Sequence, residues 1–159
     1  VGDADWHIGN KRVGTDQADF IFANEGATKM LIDHTGNVGI GTTAPASKLS
    51  VGHAGVDTYA VNTTATTLAQ IDTFAAATFR SARYTIQATN STDSTYHITE
   101  VLLIHDGTNA YITEYGTMFT GSSEGTISAD IAAGNVRLLV TPASTDTIAW
   151  KVVRHSILV

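Results

Sequence analysis

Three groups of residues in this sequence could do chemistry by type and spacing. The first lies between His34 and Val51, in HTGNVGIGTTAPASKLSV. Gly36 to Thr43 has the G-x-x-x-x-G-x-T spacing of a phosphate-binding loop, and Gly39 to Ala44 the G-x-G-x-x-A spacing of a dinucleotide fingerprint. Phosphate chemistry needs more than glycines. It needs a Lys before the Thr, to reach the phosphates, and a helix opening there whose first amides receive the anion. Thr42 stands in the Lys position, Pro45 follows, and only Ala46 to Val51 precede the next glycine. The dinucleotide fold needs a βαβ unit of about 30 residues, for which there is no room. The glycines therefore serve turns and close backbone approach.

The second group is a pair of carboxylates, Glu100 and Glu114, set in the otherwise apolar runs HITEVLLIH and AYITEYGTMF. Two carboxylates about 5–9.5 Å apart would suit glycoside hydrolysis. The plainer reading gives each an arginine from Arg80, Arg83, Arg137 or Arg154, because a carboxylate buried in a sheet needs a partner. No loop-lined cleft is visible around them, so no catalytic residue is assigned and the chain reads as non-enzymatic.

The third group is the six histidines, His7, His34, His53, His97, His105 and His155. None forms an i, i+4 pair on a helix. His97 and His105 share a strand face by parity but lie roughly 27 Å apart at strand rise, too far to hold one metal. Surface or interface histidine is the default, and no cofactor or metal is assigned. Three-fold symmetry alone would change this. A ring of His34 or His53 from three chains would offer three imidazoles, enough for Zn or Ni.

The elements that carry these residues are strands. Up to about Gly52, short apolar pieces alternate with turn residues: Trp6 to Ile8, Phe20 to Phe22, Lys29 to Ile32, Val38 to Ile40 and Lys48 to Val51. Pieces of three or four residues cannot build a core large enough to offset backbone entropy of about 1–2 kcal/mol per residue. Association of several copies is the physical way out. Beyond Val56 the strands lengthen: Arg83 to Asn90, Thr95 to Gly107, Asn109 to Gly121, Gly125 to Gly134, Asn135 to Pro142 and Thr147 to Val159. They are rich in β-branched and aromatic residues, with turn signals at sandwich-like intervals. Asp106 to Asn109 is the clearest hairpin loop. TTLAQIDTFAAATF, Thr66 to Phe79, has helix-spaced Leu68, Ile71 and Ala75, but its threonines and missing caps favour strand or loop. The aromatics Trp6, Trp150, Tyr84, Tyr96, Tyr111 and Tyr115 fit core positions better than a ligand platform.

Composition narrows the function. The net charge is -6, with Lys+Arg 9 against Asp+Glu 15, which argues against a nucleic-acid partner. Charged residues are 15% of the chain, below the usual share of about 25%. Uncharged polar residues fill the gap, as suits side chains shared between subunits. There is no Cys, hence no disulfide or thiolate chemistry. No apolar run approaches the roughly 20 residues of a membrane helix, so membrane insertion is not expected. The first residue is Val1, which leads us to expect a piece of a longer chain.

At this point a resemblance enters. Gly36, Asn37, Val38, Gly39, Ile40, Gly41, Thr42, Thr43, Pro45, Lys48, Leu49 and Val51 match the G-N-V-G-I-G-T-T-x-P-x-x-K-L-x-V element of bacteriophage tail-fibre and related virion fibre proteins, which also occurs in phage-like bacterial surface fibres. The stretch from Ala82 to Gly121 is similar, less specifically, to β-domains of virion structural proteins. The resemblance implies a homotrimeric, intertwined β-rich shaft and a location on a virion tail fibre or a cell-surface fibre. Many such fibres continue into a self-cleaving chaperone domain with long helices. Nothing after Val51 has that pattern.

The expected fold is therefore all-β: a trimeric shaft over residues 1–54, then an antiparallel β-sandwich head, jelly-roll-like, over residues 55–159. Val38, Gly39, Ile40, Gly41, Leu49 and Val51 are the expected shaft-packing residues. The expected partners are the chain's own copies and a cell-surface receptor, a glycan or an outer-membrane component. The polar loops Asn90, Ser91, Thr92, Asp93, Ser94 and Ser144, Thr145, Asp146 are the candidate receptor contacts, although each would serve equally well as a plain turn. A purely structural trimerisation or capping module is the alternative, and a glycan-degrading tailspike-type enzyme the third reading.

Overall fold

The computed structural model describes residues 5–15 and 17–159, and among these the regular structure is all strand. The chain forms two compact units, Val1–Asp57 and Thr58–Val159.

The first unit holds β1 (Trp6–Arg12), β2 (Ala18–Asn24), β3 (Ala27–Ile32), β4 (Val38–Ile40), β5 (Leu49–Val51) and the start of β6 (Ala54–Thr63). β1 to β4 pair antiparallel in sequence order, β4 and β5 run parallel, and β5 and β6 pair antiparallel. β1 and β2 are seven residues long, longer than their apolar cores suggest, because main-chain pairing carries on through Asn10, Lys11 and Arg12.

Register sorts this sheet into two unlike faces, since paired residues point the same way and neighbours along a strand point opposite ways. One face carries the row Gly9, Ile21, Leu31, Gly39, Ser50, Gly55. Its buried apolar core is Ile21, Ala23 and Leu31. The segment after β4 folds onto this face. A Cβ on Gly39 would stand 2.6 Å from the Thr42 carbonyl oxygen, closer than real Cβ contacts come. The backbone that requires glycine at position 39 is thus the chain's own, one turn further on. The turn before β4 is set by Asp33. Its Oδ1 accepts from the Thr35 and Asn37 amides, and its Oδ2 accepts from the Asn37 side chain. Burial works to raise its pKa, but these bonds outweigh it and hold the carboxyl below its usual value.

The other face carries two apolar rows. Ile8, Phe22, Met30, Ile40 and Val51 form one, and Phe20, Ile32, Val38, Leu49 and Val56 the other. No charged residue interrupts either row. Ile8 is 63% exposed, Val51 50%, and Trp6 at the margin 66%.

The second unit continues with β7 (Ala69–Ala75), β8 (Phe79–Asn90), β9 (Thr95–His105), β10 (Ala110–Phe119), β11 (Gly125–Ala132), β12 (Asn135–Pro142) and β13 (Ile148–Leu158). β13, β8, β9 and β10 pair antiparallel in that order, with the second half of β6 beside β13. β11, β12 and β7 form a second antiparallel sheet. The ambiguous Thr66 to Phe79 segment thus forms the strand β7. Asp106 to Asn109 closes the β9–β10 hairpin. The Asn109 and Thr108 amides and the Tyr111 hydroxyl all donate to the Asp106 carboxylate and hold its pKa down at about 2.

β8, β9 and β13 alternate buried and exposed along their length, as strands of a half-solvated sheet must. Their inward residues Tyr84, Ile86, Val101, Leu103, Trp150 and Val152 share one core with Ile71 and Phe74 of β7, Ile127 of β11, and Val136, Leu138 and Val140 of β12. Two sheets closed on one core make a β-sandwich. Trp150 is anchored within it, its indole N–H donating to Thr63 Oγ1 at 2.9 Å. The edge strand β10 is bulged between Tyr115 and Met118, where Gly116 takes a φ of 62° that a side chain would disfavour.

Candidate functional site

The two polar loops named above meet at one end of the second unit. Asn90, the last residue of β8, is buried and clasps both. Its Oδ1 accepts from the Thr92 and Asp93 amides, and its Nδ2 donates to Asp146 at 3.0 Å and to Glu124 at 3.5 Å. Ser144 Oγ donates to Asp146 Oδ2 at 3.0 Å. Thr95, at the start of β9, gives its hydroxyl to Glu124 Oε1 at 2.5 Å. Asn90 therefore holds the cluster from inside. Ser91, Thr92, Asp93, Ser94 and Thr145 remain exposed, and Ser144 and Asp146 are half-buried.

Glu124 is the residue the sequence reading missed. It lies in the turn GSSEGT, where a carboxylate looks solvent-facing, yet it is buried. Its main-chain amide donates to His97 Nδ1 at 3.3 Å. That bond needs an unprotonated Nδ1, which puts the His97 proton on Nε2. Nε2 is buried with no hydrogen-bond partner among the described residues, and the Phe119 ring meets the imidazole edge-on at 5.8 Å.

Burial pushes the His97 imidazole below its ordinary value of 6.5, with the charges of Glu114 and Glu124 acting the other way. The unfolded chain therefore takes up a proton at a higher pH than the folded one. Stability is full above 6.5 and falls as the pH drops through that value toward the lower folded one. His97→Asn keeps an acceptor near the Glu124 amide and has no proton to gain. Its urea midpoint should fall less steeply than the parent's between about pH 7 and pH 5. Equal slopes would remove His97 from the account.

The two strand carboxylates do not form a pair. Glu100 is gripped by Arg83 Nη2 at 2.7 and 2.8 Å, the arginine partnership expected for it. Glu114 is exposed and meets the Thr117 hydroxyl at 3.4 Å. The other arginines go elsewhere: Arg137 to Asp130, Arg154 to Asp72, and Arg80 to the His105 carbonyl. Glu124 and Asp146 do share a hydrogen-bond donor, the Asn90 side-chain amide. His105 is fixed inside the sandwich between the Phe79 carbonyl and the Gly107 amide. In the first unit, His34 is exposed, with Nδ1 3.6 Å from Asp19, and His53 is exposed. Among the described residues no group of three or more His, Asp or Glu within one chain could hold a metal ion. Among the described residues no helix is long and apolar enough to cross a membrane.

Of the aromatics, Trp150 and Tyr84 are core residues, whereas Trp6, Tyr96, Tyr111 and Tyr115 are exposed. Of the shaft-packing residues, Gly39 is buried, Val38 half-buried, and Ile40, Gly41, Leu49 and Val51 exposed.

Fold and site define an all-β chain: a sandwich with a polar loop cluster at one end, and a smaller sheet unit with one apolar face open. No protein-family description and no curated protein matches it. Among solved structures it is similar to the tailspike protein of Acinetobacter baumannii phage AM24, at 8% identity and a TM-score of 0.41, over 66% of this chain and 26% of that one. It is also similar to the tailspike protein of Acinetobacter phage vB_ApiP_P1, at 16% identity and a TM-score of 0.36, over 63% of this chain and 21% of that one. The chain thus spans about a quarter of the length of those tailspikes.

Proposed function

We propose that this chain is the trimeric tip of a virion tail fibre, whose sandwich units bind a cell-surface receptor without chemical turnover. The observation that carries the trimer is the open face of the first unit. Two uninterrupted apolar rows across five strands are more than a monomer leaves in water. The buried core behind them, Ile21, Ala23 and Leu31, is too small to hold the unit alone. The fibre-element resemblance at Gly36 to Val51 supports the same arrangement, with residues 1–54 as shaft and 55–159 as head. Three heads on one shaft gain avidity, so each site can be weak. Ser91, Thr92, Asp93, Ser94 and Thr145 are the receptor contacts in this reading, held by the Asn90 clasp.

The mass in solution tests the shaft. It should be three times the 16.7 kDa of one chain, and a monomer would undo the reading. A glycan array together with whole Gram-negative cells tests the head. Silence on both would favour a purely structural cap. A second reading, glycan cleavage, rests on Glu124 and Asp146, which accept from the same amide nitrogen. Product release from a polysaccharide, abolished in Glu124→Gln, would establish it in place of simple adhesion.

A further inference from the structure

A groove crosses the outward face of the larger sheet in the second unit. Its wide part, about 600 Å³, lies over β6, β13 and β8 and is walled by Tyr59, Gln87 and Lys151. Its narrow part, about 390 Å³, continues to the end of β10, where Tyr96 and Met118 line it. Gln87 and Ile98 border both parts, which makes them one track.

Two open depressions that share a border suit a chain molecule lying across the strands better than a compact metabolite. Tyr59 lines the 600 Å³ part and Tyr96 the 390 Å³ part, 42% and 50% exposed. Exposed tyrosine rings offer a rigid apolar surface with a polar tip, the surface that the C–H faces of sugar rings need. Between them are polar groups with capacity to spare. The Gln87 amide makes one long bond, 3.4 Å, to the Thr89 hydroxyl. Lys151 is exposed and has no ion-pair partner among the described residues. It is also the single charged residue lining the groove, in a chain of net charge -6. An isolated cation on an otherwise acidic protein selects an anionic ligand.

We propose that the groove binds an acidic polysaccharide, its rings stacked on Tyr59 and Tyr96 and a sugar carboxylate at Lys151. The proposal rests on the receptor-binding reading and adds to it a site, separate from the end loops, and a ligand class.

Calorimetric titration of the intact assembly tests it, with hexasaccharides of galacturonate, sialate and hyaluronan set against maltohexaose. At least one acidic hexamer should bind, more weakly as salt is added, and maltohexaose should not. Lys151→Ala and Tyr59→Ala should each weaken that binding about tenfold, and Lys151→Arg should preserve it. All three variants should keep the parent's mass. Failure of every acidic hexamer, equal binding of maltohexaose, or undiminished binding by Lys151→Ala would overturn the proposal. So would a changed mass in Lys151→Ala, which would make the groove a contact between copies. If whole cells are bound while the acidic hexamers are not, only the groove falls. Silence on cells and on every glycan takes the receptor reading with it.

Discussion

Asp72→Ala lowers the unfolding free energy by about 3–5 kcal/mol, the cost of leaving a buried charge without its partner. Arg154 projects from β13 into the sandwich core and donates to Asp72 of β7 at 2.7 Å, with both side chains 6% exposed. Its guanidinium carbon lies 5.0 Å from the ring centre of Phe74 and 5.6 Å from that of Phe79, so the cation is packed between apolar surfaces. The pair is costly to bury. Burial pushes the Asp72 carboxyl up, against the pull of the Arg154 charge, and burial together with the Asp72 charge pushes the Tyr84 phenol up beside it. Removing one member keeps the desolvation cost and loses the attraction. Removing both loses the two together. Asp72→Leu combined with Arg154→Met should therefore recover most of the stability that Asp72→Ala loses, with methionine keeping contact with the two rings. Denaturant unfolding of parent, single and double variants at one protein concentration measures this. A double variant as unstable as the single would mean that Arg154 matters for its packing rather than its charge.

The ion pair also shows where sequence reading stops. β8, β9 and β13 were legible because their signals are local: β-branched and aromatic runs bounded by turn residues. The hairpin at Asp106 was legible for the same reason, since its side chain bonds the next few amides. Arg154 and Asp72 are 82 residues apart, and nothing in either neighbourhood names the other. The same holds for Glu124, whose turn looks exposed until His97 and Asn90 arrive from distant strands. Gly39 is an instructive middle case. The need for glycine was readable, but the backbone it makes room for is Thr42 of the same chain, and spacing alone could not separate a near neighbour from a second copy. The open apolar face was only half legible. The shortness of the pieces signalled a missing core, but only the register lined up Ile8, Phe22, Met30, Ile40 and Val51 in one row.

If the proposed trimer is built on the open face of the first unit, Ile40→Asp should reduce it from three chains to one. Ile40 lies in the middle of the apolar rows, paired with Met30 on one side and Val51 on the other. It is exposed within one chain, so a carboxylate there costs the isolated unit little. In the trimer the same substitution buries three like charges around one axis, each losing water and repelling the others, with several kcal/mol lost per ion. Folding and association are thereby separated. Light scattering of Ile40→Asp should give the single-chain mass of 16.7 kDa, while the second unit, whose core does not involve residue 40, keeps its near-ultraviolet signal from Trp150. Thr43→Asp is the control, exposed and outside both rows, and should stay trimeric. Ile40→Val, which keeps the apolar surface, should stay trimeric too. A trimer that tolerates aspartate at position 40 would show that the copies meet elsewhere and that the apolar rows of the first unit face something other than themselves.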